Sequence, residues 1–584
     1  MNAYDALILA AIVEAGPCYR PRAPSCPGDI KPQGVAQWLS ESPDFDLLWD
    51  MAEFGADLHY TPDHVLPVGV YDNRVPPEHH QEVSAQIQAE VAKGWLKDVT
   101  STATLGEFAN APLQVVVEPS KVRRITDYSN VQRGLRTGVN ALVDMDSLGE
   151  APMHRPRDLA QAVWRLSQSA RVPPVLLVRD VSKAFRRIGV SPGHARSLRT
   201  VWEGRVYEDQ RLPFGHAASA HLCCKLTRAV ADAVSALFPE EAKVLAYVDD
   251  FVLVSVPERA RDVQRAFEAC MEAVGLPMSE TKAEESGSWS TSAAWIGFVH
   301  DTVAKTHCLP QSKKDGLVEA VSAMRNSHSV SHVELQQLVG RLSHVSSVFT
   351  AGRAFLVPLY NELAVAGKLT ELSHEAKADL QWWESALHLL PEVAAMRKPP
   401  SAQDLVMVTD AALSGQGLCL YRTVEAARRA IPQEALDLAF GKFGPRGVSG
   451  DMMLLEAVAA LSAVQRWGPV LSGKTGYILL DNEPLEWSWK KGRSKSPRVN
   501  AVLRAILLLL LQYDAQVFPL RVQSSDNVVA DALSRIHEPG STGWTQVQQW
   551  ALPEAPHKLP ECDPFNLVAQ LQVGLGSERL RPRL

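Results

Sequence analysis

The chain has 584 residues, of which 46% are hydrophobic and 21% charged, with a formal net charge of −7. That length is too great for one compact core and that composition is an ordinary globular one, so collagen-like, coiled-coil and wholly disordered classes are excluded and several domains are expected. The acidic balance also excludes a protein that holds a polyanion by bulk charge, so any such grip has to be local.

Residues 1–13 include a short apolar run, but Asp5 sits where a secretory signal needs positive charge. The longest apolar block, residues 506–511, is far short of a membrane span. The eight cysteines are scattered with no Cys-x-x-Cys pair, as reduced packing thiols are. A soluble, intracellular protein, cytoplasmic or nuclear, is therefore expected. Residues 1–43 form an irregular lead-in, rich in Pro, Gly and Cys between 18 and 34.

Residues 44–310 make the first folded region. A helical piece at 82–97 is followed by an apolar run at 175–178 that ends in Arg179 and Asp180. A helix at 217–237 carries Leu222, Leu226, Val230, Ala233 and Leu237 at helical spacing. Strands at 244–248 and 251–254 flank a tight acidic turn, and a second helix through Val263, Phe267, Met271 and Val274 stops at Gly275. Strand, helix, hairpin, helix predicts an α+β sheet with helices on one face. Residues 311–400 are mainly helical and carry no evident chemistry. Residues 401–538 begin a second α/β series, with strands at 405–408, 417–421, 477–480 and 516–520 and helices at 454–465, 498–513 and 528–533. Residues 539–584 are a weakly patterned tail punctuated by proline.

Two sets of acids stand at the ends of these elements. Asp180 ends a strand, while Asp249 and Asp250 occupy the hairpin turn. Asp410 and Asp481 follow strands, and Glu456 and Asp531 lie on helices. In-line phosphoryl transfer suits two divalent ions roughly 4 Å apart, held by carboxylates on rigid elements. A bare Asp-Asp pair is also ordinary turn chemistry, so the flanking strings decide.

Those strings resemble a known family in order. DVSKAF at 180–185 resembles the first palm motif of reverse transcriptases, LPFG at 212–215 the motif between, and YVDD at 247–250 the third. Gly275, Leu276 and Lys282 resemble the next motif, and WIG at 295–297 the primer grip. KVRRITD at 121–127 resembles the fingers segment. The resemblance implies a right-hand polymerase of fingers and palm (44–310) and thumb or connection (311–400). It gives Lys121 and Arg123 to the incoming triphosphate and makes Phe185 the aromatic that blocks a ribose 2′-hydroxyl. The resemblance puts Gly215 against the template–nucleotide pair and makes Tyr247, beside the acids, a further nucleotide-binding residue. Lys282 is given to the departing pyrophosphate, and Trp295 and Gly297 to the primer.

TDA at 409–411, LEA at 455–457, LDN at 480–482 and NVVADALSR at 527–535 resemble the signatures of retrotransposon ribonucleases H. That likeness implies an α/β ribonuclease H-like domain at 401–538, with Asp410, Glu456, Asp481 and Asp531 as catalytic metal ligands. The run 487–498 holds five basic residues, two tryptophans and no acid. It resembles the basic handle that holds a hybrid, with Lys490, Lys491 and Arg493 on phosphates.

The implied cofactors are two Mg2+ or Mn2+ ions per site. The implied partners are an RNA template, a DNA primer, the RNA–DNA hybrid and deoxynucleoside triphosphates, with no membrane. Gly134, Val139, Asn140 and PECDPF at 560–565 look DIRS-like, whereas the 527–535 string is equally gypsy-like. Ser129 stands where the family commonly has arginine. RVQSSD at 521–526 lacks the histidine that many ribonucleases H carry there, which implies altered turnover. No aspartic-protease signature, integrase zinc site or zinc knuckle is present, so a fragment, a processed product or a frame working beside a recombinase or integrase on another chain is expected. Two rivals stay open: an inactive or co-opted remnant that binds RNA, and an RNA-dependent RNA polymerase, against which Phe185 and the second acid set speak.

Overall fold

The computed structural model describes residues 28–536 and the strand His557–Lys558, except for 62–71, 104–110, 119–120, 131–137, 171, 280–287, 366–368, 390–393, 397, 399–404, 413–414, 422–424 and 431–448. The chain divides into two compact units. The first takes residues 1–154 and 174–296, and the second 155–173 and 297–584.

In the first unit, helix α1 (His80–Ala92) precedes a hairpin of β1 (Leu113–Glu118) and β2 (Lys121–Thr126). Helix α2 (Pro156–Ala170) belongs to the second unit. There its Trp164 indole donates to the Met396 carbonyl at 2.7 Å, and Lys305 lies 3.8 Å from that ring. The chain then returns as β3 (Val175–Asp180), α3 (Ala217–Ala236), β4 (Ala242–Tyr247), β5 (Asp250–Ser255) and α4 (Ala260–Val274). The three strands pair antiparallel in the order β3-β5-β4.

Central β5 is buried from Phe251 to Ser255. Its Phe251 and Leu253 pack with the helical stripes Leu222, Leu226, Val230 and Val234 of α3 and Val263, Phe267 and Val274 of α4 in one core. Helix α4 ends where predicted, because Gly275 takes φ +90° and a Cβ there would lie 2.0 Å from the Asp29 carbonyl oxygen.

The second unit opens with α5 (Gln311–Asn326), α6 (His332–Val345), α7 (Val357–Val365) and α8 (His374–Leu389). A Ser331–Glu334 capping box starts α6. Then follow β6 (Leu405–Ala411), β7 (Gly415–Tyr421), β8 (Glu425–Ala430), α9 (Ser449–Trp467), β9 (Thr475–Leu480), α10 (Glu483–Lys491), α11 (Pro497–Gln512), β10 (Gln516–Arg521), α12 (Val528–Ser534) and β11 (His557–Lys558). The strands form one mixed sheet in the order β10-β9-β6-β7-β8-β11, parallel across β10-β9-β6 and antiparallel across β6-β7-β8. Helices α9 and α11 share one apolar core with the sheet.

The two ranges 311–400 and 401–538, separate in the sequence pattern, are joined in this unit. Leu508 of α11 lies in the core of the four-helix region. Asn500 Nδ2 and Arg504 Nε both donate to the Ala354 carbonyl at 3.1 Å, and Arg504 Nη2 meets Asp379 Oδ2 at 2.6 Å. Burial raises the Asp379 carboxyl to about 6, while Arg504 opposes the shift. Among the described residues no helix is long and apolar enough to cross a membrane.

Removing one partner of a buried pair leaves an uncompensated charge, and the cost is about 3 kcal/mol. Arg504→Ala is expected to lower the stability of the second unit by that amount in urea unfolding. Arg228→Ala, which breaks an exposed i,i+4 pair with Asp232, costs less than about 0.5 kcal/mol. Equal midpoint shifts for the two variants would contradict this ranking.

Candidate active sites

Sheet register assembles the first site. Asp180 and Asp250 are directly opposed partners of β3 and β5, and Tyr247 pairs with Asp250, so only Val248 and Asp249 span the turn. One carboxylate oxygen from each of Asp180, Asp249 and Asp250 lies within 4.8 Å of the others, and all three residues are half-buried. Like charges opposed across a sheet repel, and hard cations seek this kind of oxygen set.

The turn is held against a backbone preference. Val248 has φ +55°, a region that costs a non-glycine residue about 1–2 kcal/mol. Its amide is hydrogen-bonded to Cys224, whose thiol burial pushes up to about 11. The Asp249 carbonyl accepts from the Val181 amide at 3.0 Å, and the Asp180 carbonyl accepts from the Ser279 amide at 2.8 Å.

The residues around these acids divide by face. Arg123 is exposed on β2 opposite Val116, whereas its neighbour Arg124 turns inward to Glu90 at 2.7 Å. Arg186 joins the same Glu90 and also pairs with buried Asp209. Lys121 lies on the strand, and its side chain is outside the described residues, as is Lys282 altogether. Phe185 is half-buried, and its ring meets Phe214 edge-on at 4.9 Å; Phe214 is 48% exposed. Tyr247 is also exposed.

Gly215 has φ +93°, and a Cβ there would stand 2.3 Å from the Thr126 carbonyl oxygen at the end of β2. Asn140 fastens the same turn. Its Nδ2 donates to the Gly215 carbonyl at 2.9 Å, and its Oδ1 accepts from the Ala217 amide at 2.8 Å. The sequence strings include Asn140, and Phe214 within LPFG, but assign neither a role.

The expected nucleic-acid contact of Trp295 needs correction. Trp295 is 2% exposed, so its indole has no face to offer a strand. It lies 3.5 Å from the Asp250 carbonyl oxygen, behind the acids. Gly297 takes φ +85° with the His344 ring 3.0 Å from its would-be Cβ, so packing explains the glycine.

The second site draws on three elements. Asp410 on β6, Glu456 on α9 and Asp481 after β9 bring carboxylate oxygens within 4.8 Å of one another. Unlike the first set, Asp410 and Glu456 are buried, at 4% and 3% exposure. Ser534 Oγ donates to Asp410 Oδ2 at 2.6 Å and Asn527 Nδ2 to Asp410 Oδ1 at 3.4 Å. The Ala411 amide donates to Glu456 Oε1 at 3.2 Å, and Ser524 Oγ to Asp481 Oδ2 at 3.0 Å.

Burial raises Asp410 to about 7; Ser534 opposes the rise, and the charges of Asp481 and Asp531 add to it. Burial, then Asp410 and Asp481, also hold Glu456 well above its ordinary range. Glu456 Oε2 is buried with no partner among the described residues. That orphaned oxygen fits a cation ligand. Asp531 is not brought into the set of three: it is half-buried and pairs with Arg535 at 2.7 Å. Ser534 and Asn527, which the sequence offers only as letters of a string, prove to be the groups that orient Asp410.

The basic run is helical up to its glycine. Lys490 and Lys491 lie within 6 Å of the exposed Trp487 ring, Lys490 also pairs with Glu486, and Arg493 lies 4.5 Å over Tyr360.

Residues 117–300 match the family model described as reverse transcriptase (RNA-dependent DNA polymerase). This span is a reverse transcriptase domain. Among curated proteins none matches the chain. Among solved structures, a foamy viral protease-reverse transcriptase in complex with RNA/DNA hybrid is 16% identical with a TM-score of 0.47, over 80% of this chain and 57% of that one. The same viral protein in complex with dsDNA is 16% identical with a TM-score of 0.46, over 90% of this chain and 94% of that one. The chain thus spans little more than half the first of these.

Close approach of α12 to the sheet is what sets Ser534 and Asn527 on Asp410. At Gly417 of β7 a Cβ would stand 1.9 Å from the Ala530 carbonyl oxygen and 2.7 Å from the Ser534 nitrogen. Gly417→Ala is therefore expected to displace α12 and to lower the stability of the second unit by about 2 kcal/mol. Urea unfolding with an unchanged midpoint would contradict that packing.

Proposed function

We propose that this chain is a retroelement enzyme that copies RNA and DNA templates into DNA and cleaves the RNA strand of the resulting hybrid. The observation that carries the reading is the pair of three-carboxylate sets, each with oxygens within 4.8 Å, at Asp180, Asp249 and Asp250 and at Asp410, Glu456 and Asp481. Substrates are an RNA or DNA template, a DNA primer and deoxynucleoside triphosphates, and then the hybrid. Each acid set takes two Mg2+ or Mn2+ ions, which when bound stabilise the attacking and leaving oxygens of an in-line displacement.

The chain's own residues supply the rest. Arg123, exposed on β2, and Lys121, two residues away on the same strand, offer cations to the triphosphate. Phe185, backed by Phe214, fills the space a 2′-hydroxyl needs and so selects deoxynucleotides. Gly215 and Asn140 fix the turn before α3. In the second unit Ser534, Asn527 and the Ala411 amide orient the buried carboxylates. Lys282 is assigned to pyrophosphate on motif position alone.

Losing one metal-ligating acid removes several kcal/mol of charge stabilisation, roughly a thousandfold in rate. Asp249→Asn is expected to lower magnesium-dependent primer extension on RNA by that factor and to leave hybrid cleavage in place. Asp410→Asn should do the reverse, and EDTA should abolish both. Extension that survives Asp249→Asn would sink the assigned chemistry. Hybrid retention on filters without incorporation or cleavage by the wild type would instead favour an RNA-binding remnant.

Phe185→Ala is expected to raise ribonucleotide incorporation relative to deoxynucleotide by at least tenfold, about 1.4 kcal/mol. Discrimination that does not change on this substitution would remove Phe185 from the sugar. Wild-type preference for ribonucleotides would point to an RNA-dependent RNA polymerase.

A further inference from the structure

Helix α1 holds strand β2 at two points one turn apart. Gln86 Nε2 donates to the Val122 carbonyl at 2.9 Å, and Glu90 Oε2 accepts from Arg124 Nη2 at 2.7 Å. The same Oε2 accepts from Arg186 Nη2 at 2.8 Å. The other end of that guanidinium, Nη1, donates to Asp209 Oδ1, and the Tyr128 hydroxyl donates to Asp209 Oδ2 at 3.4 Å. The side chains of Arg124 and Arg186 are 5% and 6% exposed and that of Asp209 1%, so two cations and two anions balance one another out of reach of solvent.

Each partner of this network adjoins a residue of the polymerase site. Arg124 follows Arg123, which is exposed on β2. Arg186 follows Phe185 in the short helical turn Ala184–Arg187. Asp209 ends the strand Arg205–Asp209, three residues before Leu212 of the LPFG string. Tyr128 lies against Gly215, whose would-be Cβ stands 3.8 Å from Tyr128 Cδ2, and its carbonyl accepts from the Asn140 amide at 3.0 Å. One carboxylate oxygen of Glu90 therefore joins β2 to the turn that carries Phe185.

Stability does not account for this arrangement. Apolar side chains of similar volume join packed elements as well as a buried ion pair does, or better, because charges lose hydration on burial. What the ions add is geometry. A guanidinium is a rigid planar fork, so Arg186, with one prong on Glu90 and the other on Asp209, is held from both sides, and Phe185 with it. A shift of about 1 Å in a substrate-positioning group costs up to a hundredfold in rate.

We propose that Glu90 is a positioning residue for nucleotide selection: by accepting from Arg124 and Arg186 through one oxygen, it sets the gap between Arg123 and Phe185, and with it the fit of triphosphate and sugar together. The proposal rests on the assignment of Arg123 to the triphosphate and of Phe185 to the sugar. The sign of the effect separates positioning from simple charge. Removing an anion near a triphosphate tightens nucleotide binding by Coulomb's law, whereas loosening the tie weakens it.

The test is single-nucleotide primer extension on an RNA template by the full-length chain in magnesium, with rates normalised to the burst amplitude so that only folded enzyme counts. Glu90→Gln is expected to raise the KM for a deoxynucleotide about tenfold, to lower kcat less than about twofold, and to cut discrimination against the matching ribonucleotide about threefold. Arg124→Lys keeps the single donor that Glu90 takes from β2, and should retain the wild-type KM and discrimination. Arg186→Lys has one prong where two are used, and should behave as Glu90→Gln does. Should Glu90→Gln give no burst, the two lysine variants decide. An unchanged or lowered KM in Glu90→Gln overturns the proposal, as does an equal response to lysine at the two arginine positions. The assignments of Arg123 and Phe185 survive that result if Arg123→Ala raises the KM and Phe185→Ala admits ribonucleotides. If those two variants are neutral, the assignments fail and the proposal falls with them.

Discussion

Three carboxylates held within 4.8 Å of one another are the constraint around which both units are built. Unneutralised, such a set repels itself, and nothing in a hydrophobic core relieves that. The two units meet the problem differently. The first leaves its acids half-buried at a strand end and a hairpin turn, where solvent screens them, and accepts backbone strain at Val248 to bring Asp249 and Asp250 round to Asp180. The second buries Asp410 and Glu456 and surrounds them with hydroxyl and amide donors. Its carboxyls are consequently pushed upward, Asp410 to about 7.

Each unit also holds a close backbone approach that glycine alone permits. Gly215 lets the turn before α3 touch the end of β2, and Asn140 then locks that contact with hydrogen bonds to Gly215 and Ala217. Gly417 lets α12 lie on β7, which is what carries Ser534 and Asn527 onto Asp410. Ser534 and Asn527 are remote in sequence from Asp410, the acid they serve. Sheet register and helix packing connect the two.

This separation explains what is legible in the sequence and what is not. The strands ending at Asp180, Asp410 and Asp481 and the helices α3, α4, α9 and α11 are legible because apolar spacing reports a buried face directly. The acids are legible because they stand in ordered strings. The β1–β2 hairpin is not predicted as a strand pair: Val115 to Val117 run without alternation and are followed by mixed charge, so period alone does not distinguish a strand there. Trp295 departs from its expected role for a related reason. An aromatic beside a glycine fits a contact and internal packing equally well, and only its burial behind Asp250 decides. Ser534, Asn527 and Phe214 acquire roles only through neighbours that no local pattern names.

The same logic bears on charge. A chain with net charge −7 cannot attract a polyanion by its overall field, so the placement of its cations matters more than their number. Many are spent on carboxylates: Arg124 and Arg186 on Glu90 and Asp209, Arg187 and Arg211 on Asp29, Arg199 on Glu208, Arg504 on Asp379. These pairs hold elements together and present little field to solvent.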